Sequence, residues 1–234
     1  MSRVYFVTGT DTGVGKTYVS AGLLKAAMAS GYTTAAMKPL AVGCIETTEG
    51  LRNVDVLLLQ RHCSLPLSYE QINPVALALP LPPHIAAAQA GRRLNVERLL
   101  GFCRAVLMQK ADLTVIEGSG GWRVPLNARH TLAELPRSLD ILVILVVGIQ
   151  QGCINHALLT AEAIRADGLK LFAWVANHIV PEMPFAEDTV STLEALLDAP
   201  CLASLPYKHN FQAGDCADQI DLSLILPDLS CQTD

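Results

Sequence analysis

"VTGTDTGVGKT", Val7–Thr17, follows the apolar run "VYF" and leads into a stretch rich in Ala, Leu and Met. Strand, glycine-rich loop and helix, in that order, make a cradle for phosphate. Glycines let backbone N–H groups converge on phosphate oxygens, and the helix start adds its positive dipole end. The usual pattern sets a Gly, four residues, then Gly-Lys-Ser/Thr. Counting back from Gly15-Lys16-Thr17, that first place falls on Thr10, and the glycine stands one residue earlier, at Gly9. The physics of the loop survives the shift. Lys16 would reach the β- and γ-phosphates, and the Thr17 hydroxyl would sit on Mg²⁺.

The rest of the chain repeats the alternation. After "RVYFVTG" comes a helical stretch from Lys16 to Gly31, with Gly31 as its C-cap. "TTAAMKPLAVG" reads as a strand entering a loop, and "ADLTVIEGSGG" as a buried strand ending in an acid and glycines. "ILVILVVG" is apolar without a break, as in a strand buried on both faces. A helix over about Cys153–Asp167 follows, then the strand "LFAWVAN", a helix near Glu187–Leu197 and the short strand "CLASLPY". This order predicts an α/β fold with a mostly parallel sheet and helices on both faces. Residues 1–234 read as a single domain, with a peripheral tail after about residue 226. The Pro-rich stretch Pro74–Pro83 reads as a packed loop before a helix.

Composition narrows the partners. The chain is 51% hydrophobic and 17% charged, with net charge −5 and no basic stripe, which argues against nucleic acid and anionic membrane. The longest apolar run, Ile141–Val147, is too short to span a bilayer, and the start has no secretory-leader pattern. Seven Cys without a C-x-x-C pair read as free thiols in a reducing cytoplasm. The six scattered His lack metal-ligand spacing.

In a parallel sheet, ligands bind at the carboxyl ends of the strands. Glu117 closes "LTVIE" and so emerges at the same edge as the phosphate loop, where a magnesium-holding carboxylate is expected. The glycines of the following "GSGG" allow close approach to a ligand. Lys38 precedes Pro39, which biases it toward an extended backbone and aims a cation over the same crevice. Asp55, in "EGLRNVDVLLLQ", opens a helical stretch; alone it suits a first-turn acid as well as a metal ligand.

Taken together, "TGTDTGVGKT", "KPLAVG", "EGLRNVD", "NPVAL", "PPHIAAAQ", "VIEGSGGW", "ILVVGIQQGCINHALLTAEAI", "WVANH" and "LPY" resemble the dethiobiotin synthetase family. These are ATP-dependent enzymes that close the ureido ring of biotin. The pieces run in family order over about Val4–Tyr207. The family carries its loop as G-T-D-T-x-V-G-K-T, with the first glycine one place early.

The resemblance implies a P-loop NTPase-like fold and a set of roles. Gly13, Val14, Gly15, Lys16 and Thr17 would hold the triphosphate of ATP. Thr17, Asp55 and Glu117 would hold Mg²⁺, and Gly118, Ser119 and Gly120 would line the nucleotide site. Lys38 would be the active-site lysine beside the carbamate, with Lys16 as the second catalytic lysine. Asn177 and His178, with Pro206 and Tyr207, would meet adenine. Thr12 and Val42 would face the diamine. Gly152, Cys153, Ile154 and Asn155 would present a helix start to the substrate carboxylate across a homodimer interface. The substrates would be 7,8-diaminononanoate, CO2 and ATP.

Departures from the family pattern cluster at the substrate end. Gly13 stands where some members carry Glu. Val42 replaces a Ser that touches substrate, and a valine cannot make that hydrogen bond, worth about 0.5–1.5 kcal/mol. No Tyr occurs near "FAEDTV", and "KHNFQAG" lacks an acid that contacts ribose. Two other readings stay open at this point. One is a ligase of the same fold acting on another amine or carboxylate. The other is a non-catalytic nucleotide switch. Switch proteins carry an extra loop Lys where this chain has Asp11, and many end in a basic amphipathic helix, whereas "LSLILPDLSCQTD" has no basic residue.

Overall fold

A computed structural model describes residues 2–210 and 212–226. Strand β1 (Arg3–Gly9) runs through the glycine loop into α1 (Lys16–Ala29). Then come β2 (Thr34–Met37), β3 (Leu40–Ala41), the hairpin β4 (Ile45–Thr47) and β5 (Gly50–Arg52), and α2 (Val54–Arg61). A turn of helix, α3 (Tyr69–Ile72), precedes β6 (Val75–Ala76), α4 (Pro83–Gln89) and α5 (Val96–Leu107). The second half holds β7 (Leu113–Glu117), α6 (Glu134–Leu139), β8 (Leu142–Ile149), α7 (Cys153–Ala166), β9 (Leu171–His178), α8 (Ala186–Leu196), β10 (Cys201–Leu205) and α9 (Ala213–Ala217).

Six strands form one sheet in the order β10-β9-β8-β1-β7-β2, and every pairing in it is parallel. Alternation of side chains divides the core in two. Tyr5 and Val7 of β1 join Val115, Ile144 and Val146 beneath α1 and α9. Phe6 points the other way, with Ile116, Val143, Leu145 and Val147, toward α5 and α7. Both faces of β8 are therefore buried, which its unbroken apolar sequence requires. The C-terminal segment is tied to the centre of the sheet by Tyr5, whose hydroxyl donates to the Ile225 carbonyl at 3.0 Å.

Several expectations are refined. Helix α1 ends at Ala29, and Gly31 lies just beyond its Ser30 cap at φ +84°. The strand read from "TTAAMKPLAVG" is broken at Lys38-Pro39, because proline lacks the N–H that would continue the ladder. Its second half pairs with β6 instead of the main sheet. Pro74–Pro83 is not packed throughout: Val75 and Leu77 are buried, but residues 78–82 are exposed. Helix α5 and hairpin β4–β5 lay outside the sequence expectations, although the spacing of Val96, Leu99, Leu100, Cys103 and Val106 marks the buried face of α5. The tail expected after residue 226, with Pro227 and Cys231, lies outside the described residues. No helix among the described residues is long and apolar enough to cross a membrane.

Candidate active site

The early glycine has a local cause. Thr10 still donates its N–H to the Val146 carbonyl at 3.0 Å, so the β1–β8 ladder continues past Gly9. A Cβ on Gly9 would stand 2.6 Å from Val14 Cγ2 and 3.2 Å from the Lys16 stem. The loop folds back onto the strand end, and only glycine leaves room. Gly15 is constrained twice. Its φ is +92°, and a Cβ there would lie 2.2 Å from the Asn177 side-chain nitrogen. That nitrogen donates to the Val14 carbonyl at 2.8 Å. Asn177, predicted to meet adenine, thus commits its donor to the phosphate loop and keeps its carbonyl oxygen as acceptor.

Loop, β7 and β2 end side by side, and their polar residues meet. Thr17 Oγ1 donates to Glu117 Oε1 at 2.8 Å, and Lys38 Nζ donates to the same oxygen at 2.8 Å. Lys38 also pairs with Asp55 Oδ2 at 2.5 Å. The Glu117 side chain is fully buried and that of Lys38 nearly so, while the Asp55 side chain is 41% exposed. Thr17, Asp55, Glu117 and Lys38 are therefore brought together, linked through Glu117 and Lys38. Lys16, also buried, donates to the Asp11 carbonyl at 2.9 Å.

The two lysines are tuned in opposite directions. Burial lowers Lys16 to about 8, with the nearby Lys38 adding to the drop and Glu117 and Asp55 opposing it. Burial also pushes Lys38 down, but the charges and hydrogen bonds of Glu117 and Asp55 outweigh it and leave Lys38 above its ordinary value.

Hard oxygen donors are what Mg²⁺ takes. Glu117 Oε2 is buried without a hydrogen-bond partner among the described residues, an acceptor beside the phosphate loop that fits a cation-binding role. Among the described residues no group of three His, Cys, Asp or Glu gathers in metal-holding geometry; the oxygen donors at this point are the Asp55 and Glu117 carboxylates and the Thr17 hydroxyl.

A cavity of about 730 Å³ opens over this cluster. Thr12, Gly13, Gly15, Lys38, Val42, Ser119 and Gly120 line it, with an apolar wall from Leu81, Pro82, Val124 and Pro125. A second cavity of about 760 Å³ lies at the ends of β9 and β10, bounded by His178, Pro206 and Tyr207. His178 approaches Ser204 Oγ at 3.2 Å, and burial lowers its pKa, which favours the neutral ring. Gly152–Asn155 line neither cavity. Gly152 caps α7 at φ +87°, Cys153 is buried, and its N–H returns to the Gln150 carbonyl at 3.0 Å.

Residues not foreseen hold the site in place. Asn73 is buried and donates to the Lys38 carbonyl at 2.6 Å, fixing the bend after β2. Asn53 donates to the Val42 carbonyl at 3.1 Å and accepts from the Asp55 N–H at 3.0 Å, so one side chain aligns the loop and caps α2. The one signal for both in the sequence is an Asn at a structural break, before Pro74 or before a helix.

Named proteins share much of this sequence. An ATP-dependent dethiobiotin synthetase BioD from Marinobacter nauticus is 56% identical over 89% of each chain. The enzyme of that name from Cellvibrio japonicus is 51% identical over 96% of this chain and 98% of its own. This chain belongs to the dethiobiotin synthetase family. A family model described as "AAA domain" also matches residues 3–214. Among solved structures, the septum site-determining protein MinD of Pyrococcus horikoshii, complexed with Mg-ADP, aligns with a TM-score of 0.58 at 16% identity, over 97% of this chain and 90% of its own. At that identity the likeness shows the fold, that of the P-loop NTPases. Within the dethiobiotin synthetase family the chain is an ATP-dependent ligase, and the nucleotide-switch reading is not favoured.

Proposed function

We propose that this protein closes the ureido ring of dethiobiotin from 7,8-diaminononanoate, CO2 and ATP. The observation that carries the reading is the convergence of Lys16, Lys38, Thr17, Asp55 and Glu117 at adjacent strand ends, under a cavity with an apolar wall. The apolar wall suits a methylene chain, and the charged floor suits phosphoryl transfer.

In this reading, backbone N–H groups of Gly13–Thr17 and the Lys16 ammonium hold the triphosphate. Thr17, Asp55 and Glu117 would hold Mg²⁺, which supplies charge neutralisation at the β- and γ-phosphates when bound. One amine of the diamine adds to CO2, forming an N–C bond and losing a proton to give a carbamate. A carbamate oxygen attacks the γ-phosphorus and ADP leaves. The second amine then attacks the carbonyl carbon, the ring closes, and inorganic phosphate departs with the second proton released. Lys38 stays cationic throughout and stabilises charge on the carbamate and the transferring phosphoryl group.

Adenine occupies the cavity beside His178, Pro206 and Tyr207, with the Asn177 carbonyl oxygen facing its amino group. The start of α7, at Gly152–Asn155, receives the substrate carboxylate of the partner subunit, so the enzyme works as a homodimer. It acts as a single domain in the cytoplasm. Coupled ATP turnover with and without diaminononanoate and bicarbonate tests the proposal. Phosphate release and a dethiobiotin product that both require the diamine are expected. ATP turnover indifferent to the diamine would defeat the reading.

A further inference from the structure

We propose that Tyr69, acting with Asn73 at the far end of α3, is a positioning residue that sets the Lys38–Asp55 pair for ring closure. The inference rests on the ring-closure reading and adds to it two residues that line neither of the two large cavities.

Lys38 and Asp55 reach the crevice from separate stretches of chain. Lys38 follows β2, where Pro39 halts the ladder, so its backbone needs other partners. Both come from the end of α3. The Lys38 N–H donates to the Ile72 carbonyl at 2.9 Å, and the Lys38 carbonyl accepts from Asn73 Nδ2 at 2.6 Å. Asp55 stands in the first turn of α2, where its N–H donates to the Asn53 side chain at 3.0 Å.

Tyr69 joins the two stretches. Its hydroxyl accepts the Asn53 backbone N–H at 2.7 Å. Its carbonyl accepts the Asn73 N–H at 2.7 Å, and the hydroxyl also reaches Asn73 Oδ1 in a weaker contact at 3.5 Å. One residue therefore fixes both the cap of the helix that carries Asp55 and the side chain that holds Lys38. Tyr69 is itself held. It is buried, and the Arg52 guanidinium lies 4.2 Å from its ring centroid while pairing with Glu70 at 3.2 Å. Ser68 and Gln71 close a capping box at the start of α3.

The phosphate loop is braced separately, by Asn177 through the Val14 carbonyl. Loosening α3 therefore moves the Lys38–Asp55 pair and spares the nucleotide cradle. A misplacement of about 1 Å in such a group can cost about 10²-fold in rate. The loss falls on turnover, not on ATP affinity.

The test measures kcat and KM for diaminononanoate with Mg-ATP and bicarbonate, ATP affinity by calorimetry, and the melting temperature. Tyr69→Phe keeps the ring and removes only the hydroxyl. It should lower kcat about tenfold or more and leave ATP affinity within about threefold. Asn73→Ala, which cuts the hold on the Lys38 carbonyl, should show the same split. Tyr5→Phe is the control: it also removes a buried hydroxyl, bonded to the Ile225 carbonyl, and should lower the melting temperature while kcat stays native. Native kcat in Tyr69→Phe, or an equal loss of kcat in Tyr5→Phe, would overturn the inference and leave the ring-closure reading standing. Absence of ring closure by the native protein would instead defeat that reading and this inference with it.

Discussion

Lys38 and Thr17 donate to the same oxygen of Glu117, each at 2.8 Å. A cation from the sheet edge and a hydroxyl from the first turn of α1 meet on one fully buried carboxylate, whose other oxygen remains unpartnered. Three distant stretches of chain are thus held in register at one atom. Replacing Lys38 by Gln should leave ATP affinity within a few-fold and lower ring closure by about 10²–10³-fold, because the lysine serves charge that develops during reaction. The melting temperature should fall as well, since Glu117 then loses a charged donor. Calorimetry and phosphate release measure the first two effects. Normal turnover by the variant would remove Lys38 from the chemistry.

Lys16 predicts a proton signature. With its folded pKa lowered to about 8, it is partly neutral above that pH in the free protein. ATP brings phosphate charge beside it and should restore the proton. Binding above about pH 8 should therefore take up protons, seen as a buffer-dependent enthalpy that vanishes in Lys16→Gln. The stability sign follows. Because the unfolded lysine titrates near 10.4, the burial cost is full below pH 8 and fades as pH rises toward that value. Lys38 runs the other way. Its contribution is fully present below the unfolded pKa and is lost only as pH rises through the higher folded value. No proton uptake on ATP binding at pH 8.5–9 (a range set by the ~10.4 reference and the lowered value) would contradict the Lys16 assignment.

Asn177→Ala removes the donor to the Val14 carbonyl and opens space beside Gly15. A buried carbonyl left without its partner costs about 1–3 kcal/mol, so ATP binding should weaken roughly tenfold or more as the loop loosens. If the Asn177 oxygen also reads adenine, the preference for ATP over GTP should narrow in the variant. Competition binding with both nucleotides separates the two effects. Equal weakening of both would confine Asn177 to bracing the loop.

The proposed homodimer is open to a complementation assay. A Lys38 variant and an Asn155 variant, each impaired alone, should restore up to about half the activity of one native dimer's pair of sites when mixed under subunit exchange. Asn155→Ala should weaken diamine binding and spare ATP. A fully active monomer by light scattering, or no rescue despite exchange, would refute shared sites.

The sequence exposed some features of this molecule far more clearly than others. β8 and β9 are legible because burial on both faces leaves an unbroken apolar run. Glu117 is legible because a carboxylate at the end of such a run must meet the strand-end crevice. The bracing residues are not. Asn73 acts on Lys38 across 35 positions, and Trp122 acts on Asp167 across 45, so neither side chain announces its partner by spacing. Pro39 marks the end of β2 in the sequence, but that β3 pairs with β6 depends on a fold-level contact no local pattern encodes.

The sheet order carries a further consequence. β1 stands in the middle, with β7 and β2 on one flank and β8, β9 and β10 on the other. The cavity with Lys38, Val42 and Arg123 belongs to the first flank, and that with His178 and Tyr207 to the second. The phosphate loop borders the first cavity, so the residues that would meet the acceptor and those that would meet the triphosphate share one chamber, while His178 and Tyr207 stand apart at the ends of β9 and β10.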